Sequence, residues 1–206
     1  MTTSSSRPFT VYVVDDEDAF RESLVWLLRA RGYAVQDFAC AEDFLALCDQ
    51  MLFGCLLVDV RMPGASGLEL HDRLRRGGIQ LPTLVMSGHA DLDTAITAFR
   101  TGIVDFLKKP IDDDYLVQRI DACMATEIEK QRRLQRSDAL AHRFERLAPR
   151  EREVLDCILA GMLNKQIASH LGISIKTVEV YRSRVMEKLE AKSLVELVKL
   201  AIEGSG

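Results

Sequence analysis

The sequence predicts an α/β domain built on a doubly wound, five-stranded parallel sheet, followed by a long linker helix and a small all-α domain. Three observations lead there. Over the first 126 residues, five short β-branched or apolar runs alternate with longer amphipathic stretches, the pattern of repeated βα units. From Asp113 to about Leu140 no Gly or Pro interrupts a charge-rich stretch whose apolar residues are too thinly spaced for full burial. Beyond Leu147 there are only short helical patterns, broken at Gly161, at Gly172 and around Ala191 to Ser193.

In chain order, the first strand is Thr10–Val14, which ends abruptly in Asp15, Asp16, Glu17 and Asp18. A helix over Ala19–Arg31 leads to a strand at Ala34–Phe38, and a helix over Ala41–Gln50 leads to one at Cys55–Asp59. The pattern repeats with helix Gly67–Arg76, strand Thr83–Met86, helix Leu92–Thr101 and strand Val104–Leu107. A last helix starts at Asp113 and runs into the linker. The first, third, fourth and fifth strands are nearly unbroken apolar runs, as strands covered by helices on both faces require. The resulting division is a flexible N-terminus (1–9), an α/β domain (10–126), a linker helix (127–142) and an all-α domain (143–206).

The balance of 48% hydrophobic and 28% charged residues in 206 is that of a soluble globular protein of two ordinary domains. The opening MTTSSSRP lacks the apolar core of a signal peptide, and nowhere do eighteen apolar residues run together, so a cytoplasmic location and no membrane partner are expected. Five scattered cysteines without a C-x-x-C pair argue against a disulfide framework or a structural zinc site, and read as small buried apolar residues. Residues 1–126 carry 12 basic against 19 acidic side chains, and residues 143–206 carry 11 against 9, so the two domains face different partners.

Four of the five apolar runs end in polar residues: Asp15-Asp16, Asp59, Ser87 and Lys108-Lys109. In open parallel sheets ligands bind at the carboxyl ends of strands beside a switch in strand order, so these four ends nominate one site. Asp15, Asp16 and Asp59 are hard oxygen donors of the kind Mg²⁺ takes, completed by carbonyl, water and phosphate oxygens. A carboxylate beside Mg²⁺ can also act as a nucleophile toward a phosphoryl group, with Lys109 and Ser87 holding its other oxygens. Lys108 is expected in solvent, opposite Lys109 in the pleat. Asp112 to Asp114 read as residues at a helix N-terminus, and Glu17, Asp18, His71, His142 and His170 as surface residues.

The stretches VDDE, LLVDVRMPGASG, VMSGHA and DFLKKP, at these spacings, resemble the receiver domain of two-component response regulators, a flavodoxin-like (βα)5 fold. The resemblance implies that Asp15 and Asp16 organise Mg²⁺, that Arg61 lends it a backbone carbonyl, and that Asp59 is phosphorylated by a sensor histidine kinase. It further implies Ser87 and Phe106 as switch residues, Lys109 as partner of the phosphoryl group, and a cis peptide before Pro110.

In the tail, NKQIASHLGISIKTVEVYRSRV reads as a short helix, a turn through Gly172 and a second helix capped by Ser174, the order of a helix-turn-helix. Ile167, Ala168, Leu171, Ile173, Val178 and Val185 would join the two helices. The other face carries Lys176, Thr177, Glu179, Val180, Tyr181, Arg182, Ser183 and Arg184, with cations for phosphates and mixed groups for base edges. This segment resembles the LuxR-type DNA-binding domain, and the whole chain a FixJ/NarL-type transcriptional regulator. The resemblance implies that Glu179, Val180 and Ser183 face bases, and that Lys165, Lys176, Thr177, Tyr181, Arg182 and Arg184 contact phosphates. One departure is Ala148, where the family often places a Thr or Ser helix cap.

The function expected from these parts is a phosphorylation-gated transcription factor rather than an enzyme. Promoter DNA, a homodimer formed through the fourth helix and fifth strand, and RNA polymerase are its implied partners. The rivals are a Mg²⁺-dependent phosphotransfer enzyme with a protein-binding tail, disfavoured by the absence of a nucleotide loop, and a regulator that binds DNA without phosphorylation.

Overall fold

The computed structural model describes residues 8–47, 52–88 and 100–203. It divides into two compact units, residues 1–129 and 130–206. In the first unit, strands β1 (Thr10–Val14), β2 (Ala34–Phe38), β3 (Gly54–Asp59), β4 (Thr83–Ser87) and β5 (Asp105–Lys108) form one sheet in the order β2-β1-β3-β4-β5. Every pairing is parallel. The order reverses between β1 and β3, which places the topological switch point there.

Helices α1 (Asp18–Ala30), α2 (Ala41–Leu45) and α3 (Gly67–Arg76) follow the first three strands. The sheet is buried on both faces because alternate residues of each strand feed separate apolar layers. Val11, Val13, Cys55, Leu57, Leu84, Met86 and Leu107 lie in one, with Leu24 and Leu28 of α1. Tyr12, Val14, Leu56, Val58 and Val85 lie in the other, with Phe44, Leu70 and Leu74. Strand β2, at the edge, leaves most of its residues at least partly exposed.

The helix predicted over Ala41–Gln50 is shorter: α2 ends at Leu45, Ala46 and Leu47 form a turn, and 48–50 lie outside the described residues. Nearly all of the helix predicted over Leu92–Thr101 lies outside them too. The last helix of the α/β domain, α4 (Asp113–Glu145), runs unbroken for 33 residues. Its N-terminus is capped as its acids suggest: the Tyr115 N–H donates to Asp112 Oδ1 at 2.8 Å.

His71 corrects an expectation. Predicted at the surface, it is buried on α3, where Nδ1 lies 3.0 Å from Thr83 Oγ1 and Nε2 lies 3.1 Å from the Thr101 carbonyl. A carbonyl only accepts, so Nε2 carries the proton. Helical spacing from Leu70 and Leu74 turns this residue toward the sheet, and Thr83 and Thr101 supply the polar partners that make its burial tolerable. Burial holds its pKa below the usual histidine value, outweighing the bond to Thr101. Lys108, by contrast, is exposed as expected.

The second unit contains α5 (Pro149–Leu159), α6 (Asn164–Leu171), α7 (Ile175–Lys188) and α8 (Leu194–Glu203). Their core includes Val154, Ile158, Ile167, Val178, Val185, Leu189 and Leu197. Beneath it, the carboxylate of Glu151, 3% exposed, accepts from Lys188 Nζ at 2.6 Å and from the Ala148 N–H at 2.8 Å. The ammonium keeps the Glu151 carboxyl below its usual range despite burial. Ala148, the residue before α5, has extended backbone but no side-chain acceptor, so only one half of a capping box is made.

Two outcomes follow from these packing arrangements. Ala148→Ser is expected to stabilise the protein by about 1 kcal/mol, read as a higher midpoint in chemical denaturation. An unchanged midpoint would show that the first turn of α5 gains nothing from a side-chain acceptor. Because the folded-state pKa of His71 is depressed, the unfolded chain binds the extra proton first. Stability is therefore complete above 6.5 and declines as pH falls through that value. His71→Gln is expected to flatten this part of the stability profile; an unaltered slope would remove His71 as its source.

Candidate functional site

Sheet register builds the site. Val14 of β1 is paired with Val58 of β3, so the residues that follow, Asp15 and Asp59, reach the carboxyl edge at the same level beside the switch point. By pleat alternation both continue the layer of Val13 and Leu57, and Lys109 continues that of Leu107. The three meet: Lys109 Nζ lies 2.7 Å from Asp15 Oδ2 and 2.7 Å from Asp59 Oδ1. Asp15 is fully buried and Asp59 nearly so, at 0% and 6% exposure. The ammonium also sits 4.0 Å from the ring centroid of Phe20, a cation–π contact that covers it from solvent.

The remaining carboxylate oxygens are held by backbone. Asp15 Oδ1 accepts from the Glu17 N–H at 2.9 Å, and Asp59 Oδ2 accepts from the Arg61 N–H at 2.6 Å. Lys109 itself is fixed by its own N–H, which donates to the Ser87 carbonyl at 2.8 Å, and by the cis peptide that joins it to Pro110. Gly67, first residue of α3, lies against the strand end that carries Asp59. A Cβ there would stand 2.2 Å from the Asp59 carbonyl oxygen, so only glycine allows the helix to start so close. Ser66 and Glu69 complete this start with a reciprocal capping box.

Electrostatically the pocket is one cation against two carboxylates. Burial pushes the Asp15 carboxyl above its usual value, and the bond from Lys109 only partly offsets it. For Lys109, burial acts to lower the pKa, but the hydrogen bonds to Asp15 and Asp59 win and raise it. Asp16 is exposed beside the pair. Among the described residues no group of three or more His, Cys, Asp and Glu side chains is gathered tightly enough to form a metal cage alone. Two convergent carboxylates with a neighbouring acid and open solvent nevertheless fit Mg²⁺, which keeps several waters and needs only one or two carboxylates.

Ser87 and Phe106 are placed differently from the acids. Ser87 is two residues beyond Val85, which pairs with Phe106, and Phe106 packs half-buried against the Val85 layer on the opposite side of the sheet. The structure thus groups Asp15, Asp59, Lys109 and the Arg61 amide in direct contact, with Ser87 and Phe106 following the other pleat. Sequence reading missed Phe20 and Gly67. It also missed Arg21, which donates to the Asp15 carbonyl at 2.6 Å and pairs with Asp18 and Asp37. The signal for Phe20 and Arg21 was their position one turn beyond the acids in α1; for Gly67 it was the turn-rich MPGASG.

In the second unit, α6 ends at Gly172 in left-handed conformation, φ 66°, which turns the chain before the Ser174 side chain caps α7 by accepting from the Thr177 N–H at 3.0 Å. Val178 and Val185 are buried, so the α7 face bearing Lys176, Glu179, Val180, Ser183 and Arg184 is exposed, with Thr177, Tyr181 and Arg182 half-buried beside it. Lys165 on α6 is exposed as well. An exposed helix with acid, aliphatic and hydroxyl groups flanked by cations matches the chemistry of a major-groove reader.

Comparison with known proteins agrees with both halves. Residues 11–121 match the response regulator receiver domain, and residues 145–201 match the luxR family of bacterial regulatory proteins. The transcriptional regulatory protein FixJ of Azorhizobium caulinodans is 44% identical over 93% of this chain and 91% of its own. FixJ of Rhizobium meliloti is 39% identical over 95% and 96%. Among solved structures, the response regulator StyR superposes with TM-score 0.84 at 37% identity, covering 95% of this chain and 99% of that one. Full-length FixJ from B. japonicum gives 0.60 at 40% identity, covering 98% of each.

The chain belongs to the two-component response regulators that join a receiver domain to a LuxR-type DNA-binding domain. Within them it is a FixJ-like transcriptional regulator, a class that works with a kinase and with DNA. No helix among the described residues is long and apolar enough to cross a membrane.

Because the folded-state pKa of Asp15 is raised, folding without metal is disfavoured by its charge. The sign follows: above the unfolded value of 3.8 the unfolded chain gives up this proton more readily, so Asp15 costs stability as pH rises. Asp15→Asn is expected to raise the thermal midpoint at neutral pH in metal-free buffer, with the gain shrinking as pH falls toward 3.8. A midpoint that drops at neutral pH would mean that the Lys109 bond outweighs burial.

Proposed function

We propose that phosphorylation of Asp59 gates DNA binding by this chain. The observation that carries the reading is the convergence of Lys109 Nζ at 2.7 Å on both Asp15 and Asp59, which provides a buried carboxylate nucleophile with its counter-charge in place. An Asp59 oxygen attacks phosphorus of a phosphohistidine on the partner kinase. The P–O bond forms as the P–N bond breaks, and the imidazole takes a proton. Asp15, Asp16, Asp59 and the Arg61 carbonyl are the residues that would hold Mg²⁺, which supplies charge neutralisation for the transferring group. Lys109 exchanges its carboxylate partner for a phosphoryl oxygen, and Ser87 donates to another.

Drawing Ser87 toward the phosphoryl group leaves space into which Phe106 turns, coupling the pocket to the opposite side of the sheet. The face of the domain that includes β5 then pairs two copies. This is a local charge event biasing a two-state element. The domain at 10–126 is thereby the phosphoacceptor, 127–142 the linker and 143–206 the DNA-binding domain. A location in the cytoplasm and contact with RNA polymerase belong to the same reading. So does the classification as a regulator that catalyses only its own phosphorylation and dephosphorylation.

On DNA, α7 enters the major groove. Glu179 accepts from cytosine N4, Val180 packs on a thymine methyl, and Ser183 bonds a base edge. Lys165, Lys176, Thr177, Tyr181, Arg182 and Arg184 position the helix on phosphates. Two copies read half-sites about one helical turn apart.

The test compares wild type and Asp59→Ala by solution mass and by promoter-DNA shift, with Mg²⁺ and a small phosphoryl donor such as acetyl phosphate. Donor-dependent dimers and tighter DNA binding are expected for wild type alone. Equal behaviour of the two proteins would leave the DNA-binding tail and discard Asp59 as its gate.

A further inference from the structure

The function described above gives the linker helix no task beyond joining two domains, yet its second half carries a charge pattern of its own. Residues 130–146 hold six basic side chains, Lys130, Arg132, Arg133, Arg136, Arg143 and Arg146, against two acids, Asp138 and Glu145. All of the six but Arg143 are exposed. The side chains one turn away from Arg136 are Arg132, Arg133, Ala139 and Leu140, so its charged neighbours on the helix repel it rather than pair with it. A helix that served only as a spacer would be more stable with opposite signs at these spacings.

Packing sets which way this charge faces. The end of the helix is tied to the helical unit by an Arg143–Glu190 ion pair at 2.7 Å and by Lys188, whose Nζ donates to the Arg146 carbonyl at 3.1 Å. Lys188 is the last residue of α7, and Glu190 follows two positions later. With about 3.6 residues per turn, Arg132 and Arg136 share the helix face of Arg143, so their row runs along the side of α4 that reaches the end of α7. There Arg146 and Arg184 border one open cleft of about 530 Å³, lined also by Glu151, Glu187, Lys188 and Glu190. Lys188 holds Glu151 at 2.6 Å and Arg143 holds Glu190, so the two arginines, from different elements, meet Glu187 as the remaining acid of the cleft.

We propose that the second half of the linker helix is a sequence-independent DNA contact, in which Arg132, Arg136 and Arg146 bind phosphates of the duplex beside the site read by α7. The inference rests on the reading of α7 as the helix in the major groove and extends it to the flanking backbone. Arg132 and Arg146 are separated by about 21 Å along a helix, less than the roughly 34 Å of one duplex turn. Duplex DNA carries one charge per ~1.7 Å of axis, so the row spans several phosphates on one side. Guanidinium groups suit that ligand, because their planar fork matches phosphate oxygens and neutralised phosphates release condensed counterions. The same contact relieves the repulsion between Arg132 and Arg136, so the charge that burdens the free helix favours the bound one.

The test measures binding of the full-length protein to a random-sequence duplex of about four helical turns, by fluorescence anisotropy over a range of potassium chloride, with and without acetyl phosphate. The triple variant R132Q/R136Q/R146Q is expected to reduce the slope of log K against log salt by about 0.9 for each lost contact, roughly 2.7 for three. Its helix content by circular dichroism stays that of wild type, since Gln forms helix about as well as Arg. The charge-keeping variant R132K/R136K/R146K is expected to retain the slope, and so is R29Q/R73Q/R76Q, which removes three exposed receiver arginines instead. An equal drop in both Gln triples would reduce the effect to net charge and overturn the proposal. The α7 variant K176Q/R184Q separates it from the reading beneath it. If that variant weakens binding while R132Q/R136Q/R146Q keeps the wild-type slope, the linker contact is overturned and α7 retains its role; if neither has an effect, both fall. A linker variant that binds DNA more tightly than wild type also overturns the proposal, because its arginines then serve the acidic receiver rather than DNA.

Discussion

Two carboxylates and one ammonium, closed in at the end of a parallel sheet, are the constraint on which the rest of the receiver unit depends. Asp15 and Asp59 are acceptable at 0% and 6% exposure only because Lys109 neutralises part of their charge and backbone N–H groups take the other oxygens. The net negative charge that remains is a standing demand for a further cation. A metal cation would relieve that charge, which is why the pocket fits one.

That constraint reaches back into the fold. Parallel register sets Asp15 and Asp59 level, and the pleat sends them to the same side as Lys109, while Ser87 and Phe106 leave by the other side. The sheet therefore separates the chemistry on one face from the aromatic on the opposite face, with only the strand ends between them. A glycine at the start of α3 and a cation–π lid from Phe20 in α1 fix the walls.

The helical unit solves a different problem: presenting a polar helix while keeping a small core closed. The buried Glu151–Lys188 pair fixes the junction between the start of α5 and the end of α7, and Gly172 with Ser174 sets the turn between α6 and α7. The exposed side of α7 can then carry Glu179, Val180 and Ser183 without cost to stability, since none of them contributes to the core. Surface chemistry and fold are nearly independent in this unit, unlike in the receiver, where the same residues serve both.

The sequence by itself determined the elements and their chemistry. Strand and helix periods are local properties, so β1, β2 and the helix-turn-helix emerge from spacing alone, and acids at successive strand ends name the pocket before any strand is paired. The tertiary structure decided what depends on neighbours distant in the chain. Phe20 over Lys109 arises from strand order and helix packing, which no local period encodes. His71 looked like a surface residue because polarity alone argued for water. Its burial was settled by Thr83 and Thr101, whose oxygens replace that water 12 and 30 positions away. Local sequence fixes which groups are available; only packing fixes which of them can be removed from solvent, because that depends on a partner waiting in the right place.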